Sequence, residues 1–329
     1  MQSAKRAAAG VLAIATAMPI ALFGSAVAVI GLAIGLLALL ALPILLVTVT
    51  AGSIGVLLGG ILALVAIAVV GGLIAQGFRA AEATLEATFE RTLPVSGPVQ
   101  IDATTSSGAI VVRVGDPDSV RVVGKIDVRV RRGRKVADVT ERLRQLEANP
   151  PIERDGETLR IGNGEDESLR RATIAYEITV PAGTRLHASS GCGAIDVEGL
   201  GEITAETQAG NIKLRECSVG NIDARTNAGN IKLSGVHGGV DARSGCGNVR
   251  VEGVPVSDWR LSSGAGNVKL LLPEDAAFEI VAYTGAGRVK VTHPSLVPDT
   301  VGRRKLHGKA HDGGPLIDAK SGCGNIRIA

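Results

Sequence analysis

The chain has 329 residues, 46% of them hydrophobic and only 2% aromatic, and 35 basic residues stand against 32 acidic ones. A formal charge of +3 is too small to imply a partner, and the scarcity of aromatic rings removes the stacking platforms that single-strand binders use. Four cysteines with no CxxC spacing argue against a zinc or dithiol motif.

Residues 7 to 78 contain no charged residue. A helix crossing a bilayer needs about 20 apolar residues, so residues 1–78 read as a transmembrane region of two or three helices. Breaks near Pro19, Gly24-Ser25 and Thr48 to Ser53 place spans at roughly 26–47 and 54–76, and leave a crossing by residues 8–23 open. A secretory signal has a shorter apolar region, and its removal would still leave the later spans. Lys5 and Arg6 favour a cytoplasmic N-terminus. Two spans then keep the remainder inside, and three export it. Arg79 and the four-residue spacing of Glu82, Glu86 and Glu90 read as a solvated juxtamembrane helical linker over residues 79–91.

Residues 92–329 read as mainly β, a β-solenoid of short stacked strands. The first part, 92–180, is irregular. Val95 to Val130 alternates as strands do, Val136, Val139, Leu143 and Leu146 have helical spacing ahead of Asn149-Pro150-Pro151, and Ala172 to Val180 alternates again. Regular coils follow over 181–329.

A five-residue pattern occurs eight times, beginning at Gly108, Gly193, Gly210, Gly229, Gly247, Gly266, Gly287 and Gly324 and exemplified by Gly229-Asn230-Ile231-Lys232-Leu233. From Gly193 to Gly287 the spacings are 17, 19, 18, 19 and 21 residues. A period of that size marks units that bury their apolar faces only by stacking on one another. Ile231 and Leu233 then point inward and Lys232 outward, because side chains on a strand alternate. A second strand per coil has alanine inward, as in Asp223-Ala224-Arg225 and Asp241-Ala242-Arg243. Stacking predicts an aliphatic ladder of Ile212, Ile231, Val249, Val268 and Val289, and an amide ladder of Asn211, Asn230, Asn248 and Asn267. A coil this thin has no room for Phe or Trp.

The same stacking aligns Lys213, Lys232, Arg250, Lys269 and Lys290 on one face, with Arg327 at the end, as a candidate stripe for an anionic ligand. The competing reading is a solvated face relieved by Glu216, Glu252 and Asp223. Cys192, Cys246 and Cys323 share a Ser-Gly-Cys-Gly position that is alanine in other coils, which makes them small turn residues. Cys192 and Cys246 lie three coils apart, about 14 Å, beyond disulfide reach. His307 and His311 fall in a Gly-rich stretch that reads as a mobile polar loop between the last two coils. No metal, catalytic or cofactor-binding residues are identified, and no cofactor is expected.

The succession Phe89 to Val95, Ser107 to Val112, Tyr176 to Gly183, the Ser/Thr-x-x-Gly-Asn-Ile repeats and the closing Lys320 to Ile328 resembles the bacterial adhesin-like family of β-strand-repeat domains of unknown function, related to auto-transporter adhesin head domains. Where that family most often has Gly-Asp-Ile, this chain has Gly-Asn-Ile, which removes a stacked carboxylate ladder. The resemblance implies a non-enzymatic, extracytoplasmic envelope module and supplies no catalytic residues. The expected function is therefore a membrane-anchored structural or interaction module of the bacterial envelope. Its partners would be the lipid bilayer through residues 7–78 and an envelope protein or anionic polymer; nucleic acid is disfavoured. The alternatives are a polysaccharide-acting solenoid enzyme, which needs clustered carboxylates, and an anionic-polymer-binding module that uses the stripe.

Overall fold

Two short strands and the glycine turn between them make each coil. The structure, a computed structural model, describes residues 84–129, 136–162, 172–217 and 220–329. The transmembrane spans expected within residues 7–78 lie outside these. Among the described residues no helix is long and apolar enough to cross a membrane.

The first described strand corrects the expected juxtamembrane helix. Thr84–Pro94 is strand β1, paired antiparallel with β4 (Ser119–Arg129) along its whole length. Phe89 is buried and Leu85, Ala87 and Leu93 pack against the core, while Glu86 and Glu90 face solvent. A four-residue spacing of glutamates is a multiple of two as well as nearly one helical turn. Acidic residues alone therefore cannot separate helix from strand, and the alternating apolar residues decide it.

Between β1 and β4 the chain makes a first coil, β2 (Gln100–Ser107) and β3 (Ile110–Val114). After β4 come helix α1 (Val136–Ala148), β5 (Ile152–Asp155), β6 (Thr158–Ile161) and β7 (Thr173–Val180). Val139 and Leu143 of α1 are buried, and Arg91 of β1 donates a hydrogen bond to the carbonyl of Ala148 at the helix end. Strands β6 and β7 run parallel to β2 and β3 and cover the outer edge of the first coil. The stack thus begins at Gln100, and the irregular segment is its cap.

The following coils are β8 (Arg185–Cys192) with β9 (Ile195–Glu198), then β10 (Ile203–Ala209) with β11 (Ile212–Arg215). Strand β12 (Gly220–Ala228) leads into β13 (Ile231–Cys246), which continues through β14 (Val249–Ala265) to β15 (Val268–Leu271). Strands β16 (Phe278–Ala286) and β17 (Val289–Val291) make a further coil. A hairpin of β18 (Leu296–Val301) and β19 (Lys305–Ala310) precedes the last, β20 (Leu316–Cys323) with β21 (Ile326–Ile328).

Spatial order departs from sequence order at the C-terminal end. Strand β20 pairs in parallel with both β14 and β16, and β21 with both β15 and β17. The last coil in sequence is therefore the second-to-last in space. The aliphatic ladder accordingly reads Ile212, Ile231, Val249, Val268, Ile326, Val289. The opposite side contributes Ala188, Ala205, Ala224 and Ala242, then Leu261, Ala319 and Ala282, all buried.

The expectation that large rings have no place in this core is overturned by Trp259 and Phe278, both fully buried. Trp259 stacks on Val240, just past two register shifts in the β13–β14 pairing. Its indole N–H donates to the Gly238 carbonyl at 2.7 Å. The irregular corner gives the ring space and an acceptor, as a buried indole requires.

The repeated glycine is dictated by backbone contact. A Cβ on Gly229 would lie 1.9 Å from the carbonyl oxygen of Gly210 in the preceding coil, and one on Gly247 would lie 2.0 Å from that of Gly229. The Ser or Thr three residues earlier reaches the same oxygen: Thr226 donates to Gly210 at 3.0 Å and Ser244 to Gly229 at 2.9 Å. Ser190, Thr207, Ser263, Ser321 and Thr284 repeat the bond in their own coils. The Ser/Thr-x-x-Gly unit is thus a hydroxyl clamp on a carbonyl that only glycine can approach.

Gly229→Ala is expected to destabilise the domain by about 3 kcal/mol, because backbone rather than a movable side chain blocks the methyl group. Gly302→Ala, whose added carbon would meet only the Lys305 oxygen at 3.7 Å, should stay within about 0.5 kcal/mol of wild type. Chemical denaturation midpoints compare the two.

Candidate functional site

Outward positions of the glycine-motif strands form a single file of cations. The register sets Lys213 beside Lys232, Lys232 beside Arg250, Arg250 beside Lys269, Lys269 beside Arg327 and Arg327 beside Lys290. All six candidate residues are brought together, with Arg327 inside the file rather than at its end. At one strand spacing per step the file is about 24 Å long.

Like charges directly opposite on neighbouring strands destabilise a sheet, and little here relieves them. Arg250 reaches Glu252 at 3.5 Å. Among the described residues no carboxylate lies within ion-pair distance of Lys213, Lys232, Lys269, Lys290 or Arg327. The relief expected from Glu216 and Asp223 does not occur. The Nε of Arg250 is shielded from solvent and without a hydrogen-bond partner.

The file stops where the charges become paired. Asp196 stands next to Lys213 in register. It belongs to a cluster in which Arg215 meets Asp196 at 3.0 Å and Glu198 at 2.8 Å, and Arg113 meets both at 3.3 Å.

Two residues before each cation except Lys290 lies the asparagine ladder. Asn211 Oδ1 accepts the backbone N–H of Asn230 at 2.8 Å and its side-chain Nδ2 at 3.3 Å. Asn230 does the same for Asn248, Asn248 for Asn267, and Asn267 for Asn325. Asn325 Oδ1 accepts the backbone N–H of Arg288. Each of these amide oxygens from Asn211 to Asn267 is thus occupied twice, whereas each Nδ2 has a second proton left over. The row presents donors to solvent. Asparagine spacing foretold the ladder; its one-sided polarity emerges only from the hydrogen-bond pattern.

The alanine-bearing strands show a neutralised outer surface. Asp223 pairs with Arg225 at 2.5 Å, Asp241 with Arg243 at 2.6 Å and Asp318 with Lys320 at 2.6 Å. An Asp-x-Arg or Asp-x-Lys pattern on one strand face is the signal that announces these pairs. An open groove of about 650 Å³ crosses this surface, lined by Glu202, Asp223, Asp241, Asp258 and Arg260 among others. Four carboxylates that are far apart in sequence are gathered here. Burial, more than the neighbouring charges of Asp241 and Glu206, raises the Asp223 carboxyl above its usual value against the pull of Arg225.

Of the histidines expected in a mobile loop, His307 is held in the hairpin and His311 sits in the turn that follows it. His307, in β19, contacts Glu279 at 2.8 Å and Asp299 at 3.4 Å, and His311 contacts the Glu274 carbonyl at 3.0 Å. Among the described residues no group of three or more His, Cys, Asp or Glu is placed to hold a metal ion. Cys192, Cys246 and Cys323 are exposed free thiols. Cys246 and Cys323 flank Ala265, two strand steps or about 10 Å apart, too far for a disulfide. Cys217, outside the repeat position, is buried.

Parallel coils with a clamped glycine turn define a β-strand-repeat domain. The chain belongs to the Toastrack DUF4097 family, whose profile matches residues 101–329. None of the curated proteins matches it. Among solved structures, a proposed adhesin from Bacteroides fragilis is similar at 12% identity, covering 74% of this chain and 97% of that one with a TM-score of 0.35. A proposed cell adhesion protein from Clostridium sporogenes matches at 12% identity, 74% and 99% coverage and a TM-score of 0.28. A proposed lipid binding protein from Parabacteroides distasonis matches at 13% identity, 74% and 96% coverage and a TM-score of 0.28. Similarities of this size carry no functional argument.

The thiols provide a direct check on burial. Desolvation pushes the Cys217 thiol up to about 12, so the nucleophilic thiolate is scarce at neutral pH. In the native protein at pH 8, iodoacetamide is expected to label Cys192, Cys246 and Cys323 at least tenfold faster than Cys217, as read by peptide mass spectrometry. Equal rates at all four sites would contradict the burial of Cys217.

Proposed function

We propose that the protein is a membrane-anchored, non-enzymatic interaction module of the bacterial envelope that holds anionic material against its cation file. The observation that carries this reading is the contrast between the two surfaces. One neutralises its charges in Asp–Arg and Asp–Lys pairs along its own strands, and the other leaves five of six aligned cations without a carboxylate. An arrangement that costs stability within the fold gains a purpose when a ligand supplies the counter-charge. In this reading residues 7–78 anchor the chain in the bilayer, with three spans and the coil stack outside.

Two measurements test it. Protease added to intact cells should degrade the folded region from β1 onward while sparing the anchor; protection of that region would place it inside. The full chain in uncharged nanodiscs should be retained on a polyanionic resin at low salt and released as salt rises, since counterion release governs such contacts. Combined Lys213→Glu, Lys232→Glu, Arg250→Glu and Lys269→Glu substitution should reduce retention at least tenfold with an unchanged melting transition. Equal retention of both proteins would sink the reading.

A second reading, a polysaccharide-acting enzyme, draws on the groove carboxylates. Each is already engaged: Glu202 with Arg185 at 2.8 Å, Asp258 with the Leu316 N–H at 2.9 Å, and Asp223 and Asp241 with arginines. Asp223 and Asp241 are also register partners on adjacent strands. They approach a bound chain from one side, whereas glycosidases flank the bond. Release of reducing ends from a polysaccharide panel, abolished by Asp223→Asn, would favour this reading instead.

A further inference from the structure

We propose that the ligand of this face is one linear polyanion lying along the stack, perpendicular to the strands, with an anionic group addressed by each of six successive coils. This rests on the reading that the cation file binds anions and specifies what kind of anion fits.

The first argument is width. The file is one side chain across. On its far side from the asparagines the next outward row runs Arg215, Ser234, Glu252 and Leu271. Arg215 is already committed to Asp196 and Glu198, Glu252 is itself anionic, and Leu271 is apolar. A broad anionic sheet such as a headgroup layer would press against Glu252 and Leu271. A single strand of polymer would not.

The second argument is the chemistry beside the cations. Every coil from Asn211 to Asn267 pairs one cation with one amide whose remaining outward capacity is a donor N–H. A carboxylate, phosphate or sulfate accepts from both. A neutral sugar hydroxyl would also need an acceptor, and the amide oxygens of Asn211, Asn230, Asn248 and Asn267 are filled. A cation finds no ligand there.

The third argument is coincidence of the two features along the stack. In the first two coils the asparagine position holds Ala109 and Ala194, and the cation position holds Val111 and Asp196. Both rows begin together at the third coil, Asn211 with Lys213. The last coil in space keeps a cation in each place, Arg288 and Lys290. The inserted coil carries Asn325 and Arg327 and enters both rows without a register shift. Folding alone does not require two outward rows to start at the same coil. A ligand spanning six coils does.

The experiment uses the full chain in uncharged nanodiscs and measures affinity at fixed salt for two homologous series, oligouronates and linear oligophosphates, of two, four, six, eight and twelve units. Tethering of successive groups makes each added contact intramolecular. Affinity is expected to rise steeply from two units and to level off once the ligand spans the file. Octamer and dimer should differ at least thirtyfold in one series, and that series identifies the source of the anionic groups. Lys232→Gln should weaken all lengths, and Lys290→Gln only the longer members. Inorganic phosphate and vesicles of phosphatidylglycerol serve as the comparison probes. Binding to vesicles or phosphate with no gain from oligomer length would overturn the linear-polymer assignment while leaving anion binding standing. Binding to none of the probes would overturn both.

Discussion

Everything in the coil stack depends on how closely two backbones pass at the glycine turn. A carbonyl from one coil sits where the Cβ of the next would be, and a Ser or Thr hydroxyl fastens it. That contact fixes the axial register of successive coils, and the register in turn decides which side chains become neighbours. The buried hydroxyls would cost stability without partners; with them, they act as pins that hold the aliphatic ladders, the asparagine row and the cation file in line. The alignment of the cations, though not their identity, therefore follows from register that other constraints impose, and substitution at Lys232 changes a surface while substitution at Gly229 changes the fold.

Much of this was legible because the repeat is short and its period nearly constant. Inward Ile231 and Leu233 and outward Lys232 follow from alternation alone, and one strand per coil places Lys213, Lys232, Arg250 and Lys269 in file. What remained hidden has identifiable physical causes. Equivalent coils carry interchangeable edges, so nothing in the Gly-Asn-Ile pattern says that Arg327 stands between Lys269 and Lys290. Glutamates at four-residue spacing fit helix and strand alike, which concealed β1. Trp259 was hidden because its space arises from a register shift at Gly238 and not from the regular coil. The hairpin holding His307 is made by pairing with β16, a long-range contact that its glycines obscured.

The two outer surfaces follow from the same geometry but settle their charges differently. Along a strand, residues two apart face the same way, so Asp223 can neutralise Arg225 within one coil. Across strands, identical residues are neighbours, so repeating Lys or Arg accumulates charge. Placing the acid and the base in one coil yields a quiet surface, and placing a base alone yields a charged line. The Toastrack unit of this chain has done both, one on each side.

The insertion of β20 and β21 between coils that precede them in sequence has a kinetic consequence. Val268 and Val289 both pair with Ile326, so the edge of β14 and β15 that takes β20 and β21 has the same Val/Ile pattern that β16 and β17 carry. A chain growing from its N-terminus meets the wrong partner first. The stack must then either wait with an open edge or close on a decoy that later has to be pried apart. The antiparallel hairpin β18–β19, docked on β16, offers a way out: it can hold β16 and β17 as a separate body until the late strands arrive to be sandwiched. Regularity, which makes the coils easy to stack, also makes them easy to stack in the wrong order.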